Sequence, residues 1–435
     1  MQQILSNLVV YRSLTEDALL KSLAETVSDW QEEKASREAL TARIYRDINS
    51  LLALALEHGF DENLWHCYLT HLLLNDENPY SLTCECAPAG EGTLSTLAKR
   101  DCQALYDLYH FDFKSLEKSL NIDSFSMASR YQAMGSRKGR YSRESGEKLL
   151  ALSRSLSAAK NGDELFTLLT KQYQNHGVGL FGLHSAFRIS DNGGEDLSFQ
   201  PAQSTEKVRF SDLVGYDLQK QQLRDNTDAF VDGRSANNTL LYGDSGTGKS
   251  TSVKALIHEY YPRGLRIIEV YKHQFRLLPQ LIAAIKNRNY RFIIFIDDLS
   301  FEESEVEYKF LKAVIEGGVE TKPDNILIYA TSNRRHIVKE MWQDRKDMEY
   351  TGEVHRSDTV EEKISLSSRF GVQINYSIPN RKLFHLIVEQ LAKGRNLDIP
   401  EAELLAEANK WELRHGGLSG RTARQFIDYL DGKKP

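Results

Sequence analysis

Apolar positions along residues 1–188 recur at helical spacing, and strand-like alternation is scarce. Ala39–His58 (ALTARIYRDINSLLALALEH) carries such a stripe and stops at Gly59. Leu64–Leu74 and Leu94–Tyr109 behave likewise, and Asn161 reads as the cap of a stretch running to Tyr173. The pattern predicts a mostly α-helical N-terminal domain over 1–188 that buries these stripes against one another. Residues 189–208 are polar and contain Gly-Gly and Pro, so they read as a linker.

A different regime begins at Arg209, where apolar runs alternate with helical patterns, as they do over a parallel α/β sheet. Five strands are expected: Asn238–Tyr242, Leu265–Val270, Arg291–Ile296, Asn325–Ala330 and Val372–Tyr376. The third, RFIIFI, is apolar throughout, as expected of a strand covered on both faces. Phe275–Asn287 and Glu307–Glu316 read as helices between strands. Lys382–Leu391, Glu401–Glu412 and Gly420–Leu430 read as a small all-α unit. The expected plan is an α/β core over 209–377 and a helical lid over 378–435. No internal repeat is visible.

The first strand runs into LLYGDSGTGKST, Leu240–Thr251, which fits G-x-x-x-x-G-K-S, the phosphate-binding loop. Gly243, Gly246 and Gly248 let the backbone turn where a Cβ would clash. The N–H groups of Gly243, Asp244, Ser245, Gly246, Thr247 and Gly248, with the helix end at Lys249–Thr251, would cradle the phosphates of ATP. Lys249 would reach the β- and γ-phosphates, and the Ser250 hydroxyl would bind Mg2+.

Two acids, Asp297 and Asp298, end the third strand, where α/β sheets bind ligands. Asp297 would hold the Mg2+ water shell beside Ser250, and Asp298 would orient and polarise the attacking water. The plainer alternative is two acids that end a strand and cap the next helix. Asn333, at the end of the fourth strand (Ala330-Thr331-Ser332-Asn333), is placed to hydrogen-bond the γ-phosphate or the lytic water; alone, an Asn there is common turn chemistry.

Composition narrows the rest. At 435 residues the chain has room for two or three domains. Its net charge of −6 gives no support to bulk binding of nucleic acid or anionic membrane. No apolar run approaches the roughly 18 residues of a membrane helix, and the N-terminus lacks a secretory pattern. Four Cys in a chain this long point to reduced thiols and a cytoplasmic protein. Cys84-Glu85-Cys86, with Cys67, Cys102, His66 and His71 nearby in sequence, lacks zinc-knuckle spacing and reads as core. The basic stretch Ser136–Ser145 reads as a solvated loop rather than a phosphate contact.

Phosphate loop, paired acids, Thr-Ser-Asn and a helical lid, in that order, resemble the AAA+ ATPases over about half the chain, Phe210–Leu430. Phe210-Ser211-Asp212-Leu213-Val214-Gly215-Tyr216 is similar to the segment that packs on adenine there, which implies a base contact at Val214 and Gly215. Ile364–Phe370 (ISLSSRF) resembles the motif of the arginine finger, which implies that Arg369 meets the γ-phosphate of a neighbouring subunit. Gly417–Arg421 resembles the sensor 2 motif and implies that Arg421 reaches back from the lid, with Arg424 one turn on as the alternative. YATSNRRH and EEKISLSSRFG look most like the bacterial AAA+ family DUF815, a domain of unknown function, and the similarity extends to NPYSLTCE and GLHSAFRI.

One departure is Asp298, where many AAA+ members have Glu; replication initiators and helicase loaders often carry Asp, and Glu302 and Glu303 are other candidates for the base. A guanidinium on the γ-oxygens contributes on the order of 10³–10⁵ in rate, so an Arg369 in trans would make hydrolysis depend on assembly into rings or filaments. Residues Arg334–Glu362, long and charged, with His336, Trp342 and His355, read as either a substrate loop or a surface excursion.

The leading expectation is a Mg2+- and ATP-dependent ATPase that remodels a protein partner recognised by the N-terminal helices. The alternatives are a slow nucleotide switch or scaffold, and a DNA-directed ATPase of the initiator or loader type. The acidic balance and the lack of a recognisable DNA-binding module stand against the last.

Overall fold

The structure, a computed structural model, describes residues 1–86, 90–134, 143–191, 197–202, 208–301, 307–316, 323–333 and 366–433. Two compact units divide the chain, one built on Met1–His184 and the other on Ser185–Gln200 and the residues from Thr205 onward.

The first unit is built of helices, with one isolated antiparallel bridge between Glu62 and Tyr131. Its helices are α1 (Gln2–Ser6), α2 (Ala18–Gln31), α3 (Arg37–His58), α4 (Leu64–Asn75), α5 (Pro79–Cys86), α6 (Thr93–Tyr109), α7 (Lys114–Leu120), α8 (Ser124–Ala128), α9 (Arg143–Ser157), α10 (Gly162–His176) and α11 (Gly179–Leu183). Side-chain caps start several of them: Ser36 accepts the Ala39 N–H, Asn63 that of His66 and Asn161 that of Glu164. Gly59, left-handed at φ 74°, ends α3 where the sequence pattern stops. The apolar stripes meet in one core that includes Tyr11, Ile44, Leu64, Leu105 and Leu169. Cys67, Cys84 and Cys102 are buried in it and Cys86 is exposed. Among the described residues no three His, Cys, Asp or Glu side chains converge as metal ligands. No described helix is long and apolar enough to cross a membrane.

The second unit is a seven-stranded sheet with a helical lid. Its strands are β1 (Ala186–Asp191), β2 (Leu197–Pro201), β3 (Thr239–Gly243), β4 (Leu265–Glu269), β5 (Arg291–Ile296), β6 (Ile326–Ser332) and β7 (Val372–Tyr376), in the order β2-β1-β4-β5-β6-β3-β7. Every pairing from β1 to β7 is parallel. The central strands β5 and β6 are buried along almost their whole length, which accounts for their unbroken apolar sequence. Helices α12 (Asp217–Val231), α13 (Lys249–Tyr260), α14 (Leu278–Ile285) and α15 (Glu307–Glu316) belong to the sheet layer. Helices α16 (Arg381–Gly394), α17 (Glu401–Arg414) and α18 (Gly420–Asp431) form the lid around Phe384, Val388, Ala408, Ala423 and Phe426. Asn380 and Ser419 cap α16 and α18.

One expectation needs correction. Residues 189–208, read as a linker, hold the end of β1 and all of β2, and the sheet has two strands more than the five expected. β1 pairs in register with β4, Phe187 facing Ile268, and β2 is the edge strand beyond it, so the turn-rich stretch carries part of the sheet. Residues 136–142, Glu302, Glu303 and 334–365, singled out in the sequence, lie outside the described residues.

Candidate functional site

The site lies at the carboxyl ends of β3, β5 and β6 and beneath the N-terminus of α18. β3 ends in Gly243, and the chain passes through Asp244–Gly248 into α13. Gly243 has φ 126°, and a Cβ there would strike the Tyr376 carbonyl of β7. Gly246 has φ 75°, and its Cβ would lie 3.0 Å from Arg421 Cβ and Ser419 Oγ of the lid. Both positions need glycine, for backbone conformation and for space.

Lys249 is folded back into the loop. Its ammonium donates to the carbonyls of Gly243 at 2.9 Å and Asp244 at 2.7 Å, and to Asn333 Oδ1 at 3.0 Å. With only 6% of its surface exposed, its pKa is lowered by burial, and the carboxylates of Asp244, Asp298 and Asp297 oppose that shift. The Asn333 amide donates its other end to Asp298 Oδ1 at 2.7 Å, so Asn333 bridges the loop lysine and the second acid. Ser250 Oγ donates to Asp297 Oδ1 at 2.5 Å, and Thr331 Oγ1 donates to the same oxygen at 2.6 Å. Asp298 has φ 53°, an uncommon conformation for a residue with a side chain.

From the lid, the Arg421 guanidinium donates to Ser245 Oγ at 3.3 Å, and its backbone N–H donates to the Gly246 carbonyl at 3.2 Å. Ser419 Oγ caps α18 by accepting the Thr422 N–H at 3.0 Å.

Val214, Ser245–Thr251, Asp297, Asp298, Asn333 and Arg421 line one cavity of about 500 Å³. Three loop or base-segment residues stand behind its wall. Gly215, at φ 75°, packs so closely on Leu383 of α16 that a Cβ would overlap it; Gly243 packs on β7; Asp244 turns its carboxylate to the Ile378 N–H at 2.9 Å. Arg369 is not part of the cavity. It precedes β7, whose start at Val372 pairs with Thr239, whereas Tyr376 pairs with Gly243 at the loop. The two ends of β7 are about 13 Å apart at the usual strand rise.

Arg424, the alternative to Arg421, lines the cavity beside it, so both lid arginines are at the site. The cavity also includes residues that the sequence did not point to as ligands. Lys254 follows Ser250 by one helical turn on α13, a spacing that was visible in the sequence. Tyr216, left-handed at φ 57°, donates its hydroxyl to the Ser377 carbonyl at 2.8 Å and stacks on Tyr376. Thr331 had one signal: a hydroxyl at the end of an otherwise apolar strand.

Chemically, the arrangement offers a glycine-rich turn at the N-terminus of α13, a buried ammonium and two guanidinium groups for an anion of several charges. A hydroxyl and a carboxylate on one point suit a hard divalent cation, and a second carboxylate suits a water proton.

Comparisons with known proteins bear on the second unit. A family model described as a protein of unknown function (DUF815) matches residues 183–434. No curated protein matches the sequence. Among solved structures, a point mutant of Thermotoga maritima RuvB overlays with a TM-score of 0.37 at 15% identity, covering 52% of this chain and 65% of that one. The chain therefore spans just under two-thirds of the length of that RuvB. The AAA domain of FIGL-1 in complex with ADP overlays with a TM-score of 0.35 at 19% identity, covering 52% of this chain and 73% of that one. The family match takes in the whole sheet, the lid and every residue of the cavity, more than half of the sequence, and the chain belongs to the DUF815 family.

Proposed function

We propose that the protein is a Mg2+-dependent ATPase of the AAA+ type whose hydrolysis depends on contact between copies. The observation that carries this reading is the connected set Lys249–Asn333–Asp298 and Ser250–Asp297–Thr331 at the mouth of a glycine loop. The residues fit a Mg2+ nucleotide: the loop N–H groups and Lys249 suit the polyphosphate, Ser250 and Asp297 suit the cation, and Val214 with the lid's Ile387 and Leu391 gives the cavity an apolar side suited to a base. Bound ATP supplies the γ-phosphoryl group passed to water, and Mg2+ neutralises charge on its oxygens.

The chain's own groups divide the remaining work. Asp298 takes the proton of the attacking water, and Asn333 holds Asp298 and Lys249 in fixed relation. Arg421 carries positive charge from the lid to the loop, so lid position and phosphate charge act on each other. Arg369, at the far end of β7 from its own loop, acts on the site of a neighbouring copy, which makes the assembly head-to-tail and a ring or filament. The N-terminal helices recognise a protein partner, which the lid motion remodels.

A second reading, a slow nucleotide switch, draws support from Asp298. Its side chain is one methylene shorter than Glu, and Asn333 already engages one of its oxygens.

The test is ATPase rate against protein concentration, with mass by light scattering, for wild type, Lys249→Ala and Arg369→Ala. A specific activity that rises with concentration, vanishes in Lys249→Ala and collapses in Arg369→Ala with nucleotide binding retained supports the shared site. A low flat rate indifferent to Arg369 supports the switch. Absence of Mg2+-dependent turnover at any concentration removes the ATPase reading.

A further inference from the structure

We infer that Thr331 is a positioning residue that sets both acids of the site; the inference rests on the ATPase reading. The register of β5 and β6 pairs Ile296 with Ala330, which brings Thr331 beside the turn that follows β5. There it makes three hydrogen bonds to three successive residues. Its Oγ1 donates to Asp297 Oδ1 at 2.6 Å, the same Oγ1 accepts the Asp298 N–H at 2.9 Å, and its carbonyl accepts the Leu299 N–H at 2.6 Å. The hydroxyl has one proton and it is committed to Asp297, so the donor and acceptor roles are both fixed.

The consequence is local and specific. Asp298 stands at φ 53°, a conformation that persists only when its surroundings over-determine it. Its N–H is held by Thr331 and its carboxylate by Asn333, so backbone and side chain are pinned from the end of one strand, β6. Asp297 takes two hydroxyl donors on one oxygen, Ser250 and Thr331. Ser250 has a second duty as a cation ligand. Thr331 is 1% exposed and has no such duty, so it keeps Asp297 aimed when Ser250 turns away.

The test compares Thr331→Val and Thr331→Ala, which remove the hydroxyl, with Thr331→Ser, which keeps it. Three quantities are read on the full chain: affinity for a fluorescent ATP analogue in EDTA and in Mg2+, turnover of ATP, and amide exchange at Asp298 in nucleotide-free protein. In Val and Ala the EDTA affinity stays within about twofold, the Mg2+ enhancement of affinity falls about tenfold and kcat falls about 10²-fold. Exchange at Asp298 speeds up, and Ser restores all three. A Val or Ala variant with wild-type Mg2+ enhancement and wild-type exchange at Asp298 overturns the inference. Wild-type protein without Mg2+-dependent turnover overturns the ATPase reading instead, because exchange at Asp298 is read without nucleotide.

Discussion

The carboxylate of Asp244 accepts the backbone N–H of Ile378 at 2.9 Å, joining the phosphate loop to the segment that leads into the lid. Its own N–H donates to the Tyr376 carbonyl at 3.0 Å, and its carbonyl takes Lys249 Nζ and Thr247 Oγ1. The Asp244 carboxylate would oppose the charge of a phosphate bound in this loop, while its bond to Ile378 ties the loop to the chain entering the lid.

Asp244→Asn and Asp244→Ala separate the two effects. Asn keeps an acceptor for Ile378 and drops the charge, so nucleotide affinity is expected to hold or to rise severalfold. Ala drops both, and the bond it removes stabilises by about 1 kcal/mol at this exposed position. Amide exchange at Ile378 is expected to quicken in Ala and to stay slow in Asn. Equal exchange in the three proteins would mean that the bond does not tie the loop to the lid.

Gly246 also meets the lid, where its carbonyl accepts the Arg421 N–H at 3.2 Å. Adding a methyl group places it against Arg421 Cβ and Ser419 Oγ, and the left-handed backbone adds about 1–2 kcal/mol of strain. Gly246→Ala is expected to move the start of α18 off the loop and to weaken nucleotide binding tenfold or more, by about 1.4 kcal/mol. Equilibrium binding with exchange at Gly420–Thr422 reads both. Weakened binding with unchanged exchange at α18 would place the fault in the loop alone.

Two lid arginines line the cavity, and contact geometry ranks them. Arg421 touches Ser245 with its guanidinium and Gly246 with its backbone, whereas Arg424 sits one turn further along α18. Arg421→Ala is expected to lower nucleotide affinity about tenfold and Arg424→Ala about twofold. The reverse order would make Arg424 the lid's phosphate contact.

The placement of the glycine loop after β3, the acids after β5 and the Asn after β6 was legible because each follows an apolar run long enough to define a strand. The bounds expected for β5 and β7 match to the residue, and those for β3, β4 and β6 to within two. What escaped depends on distance across the fold. Thr331 gains its partners only through the β5–β6 register, and Gly246 meets Ser419 only once the lid is docked. Tyr216 lies in the quoted base segment, yet its bond to Ser377 spans 161 positions of sequence. β1 and β2 escaped for a different reason: AFRISD and LSFQP are short and flank a Gly-Gly turn signal that outweighs their alternation, and β2 is the edge strand.

The N-terminal unit carries a prediction of its own at His71. Its ring lies 4.2 Å from that of His58, centroid to centroid, and also meets Phe60; Asn75 Nδ2 approaches His71 Nδ1 at 3.3 Å, which suits an unprotonated nitrogen. Burial, reinforced by His58 and opposed by Asp17, lowers its pKa from 6.5 to about 4. Burial also lowers that of His58. A base with a lowered native pKa leaves stability intact above its unfolded value. Between pH 6.5 and about 4 the unfolded chain takes up the proton and the native chain does not, so stability falls as pH falls through that window. A full shift of this size corresponds to about 3 kcal/mol, and partial exposure of the ring reduces it to roughly 1–2 kcal/mol. His71→Gln keeps an acceptor for Asn75 and removes the titration. Amide exchange over Leu64–Asn75, followed at pH 7, 5.5 and 4.5 and corrected for the intrinsic exchange rate, is expected to show acid loosening in wild type and much less of it in His71→Gln. The same acid slope in both proteins would move the effect away from His71, to His58 or to the carboxylates of this unit.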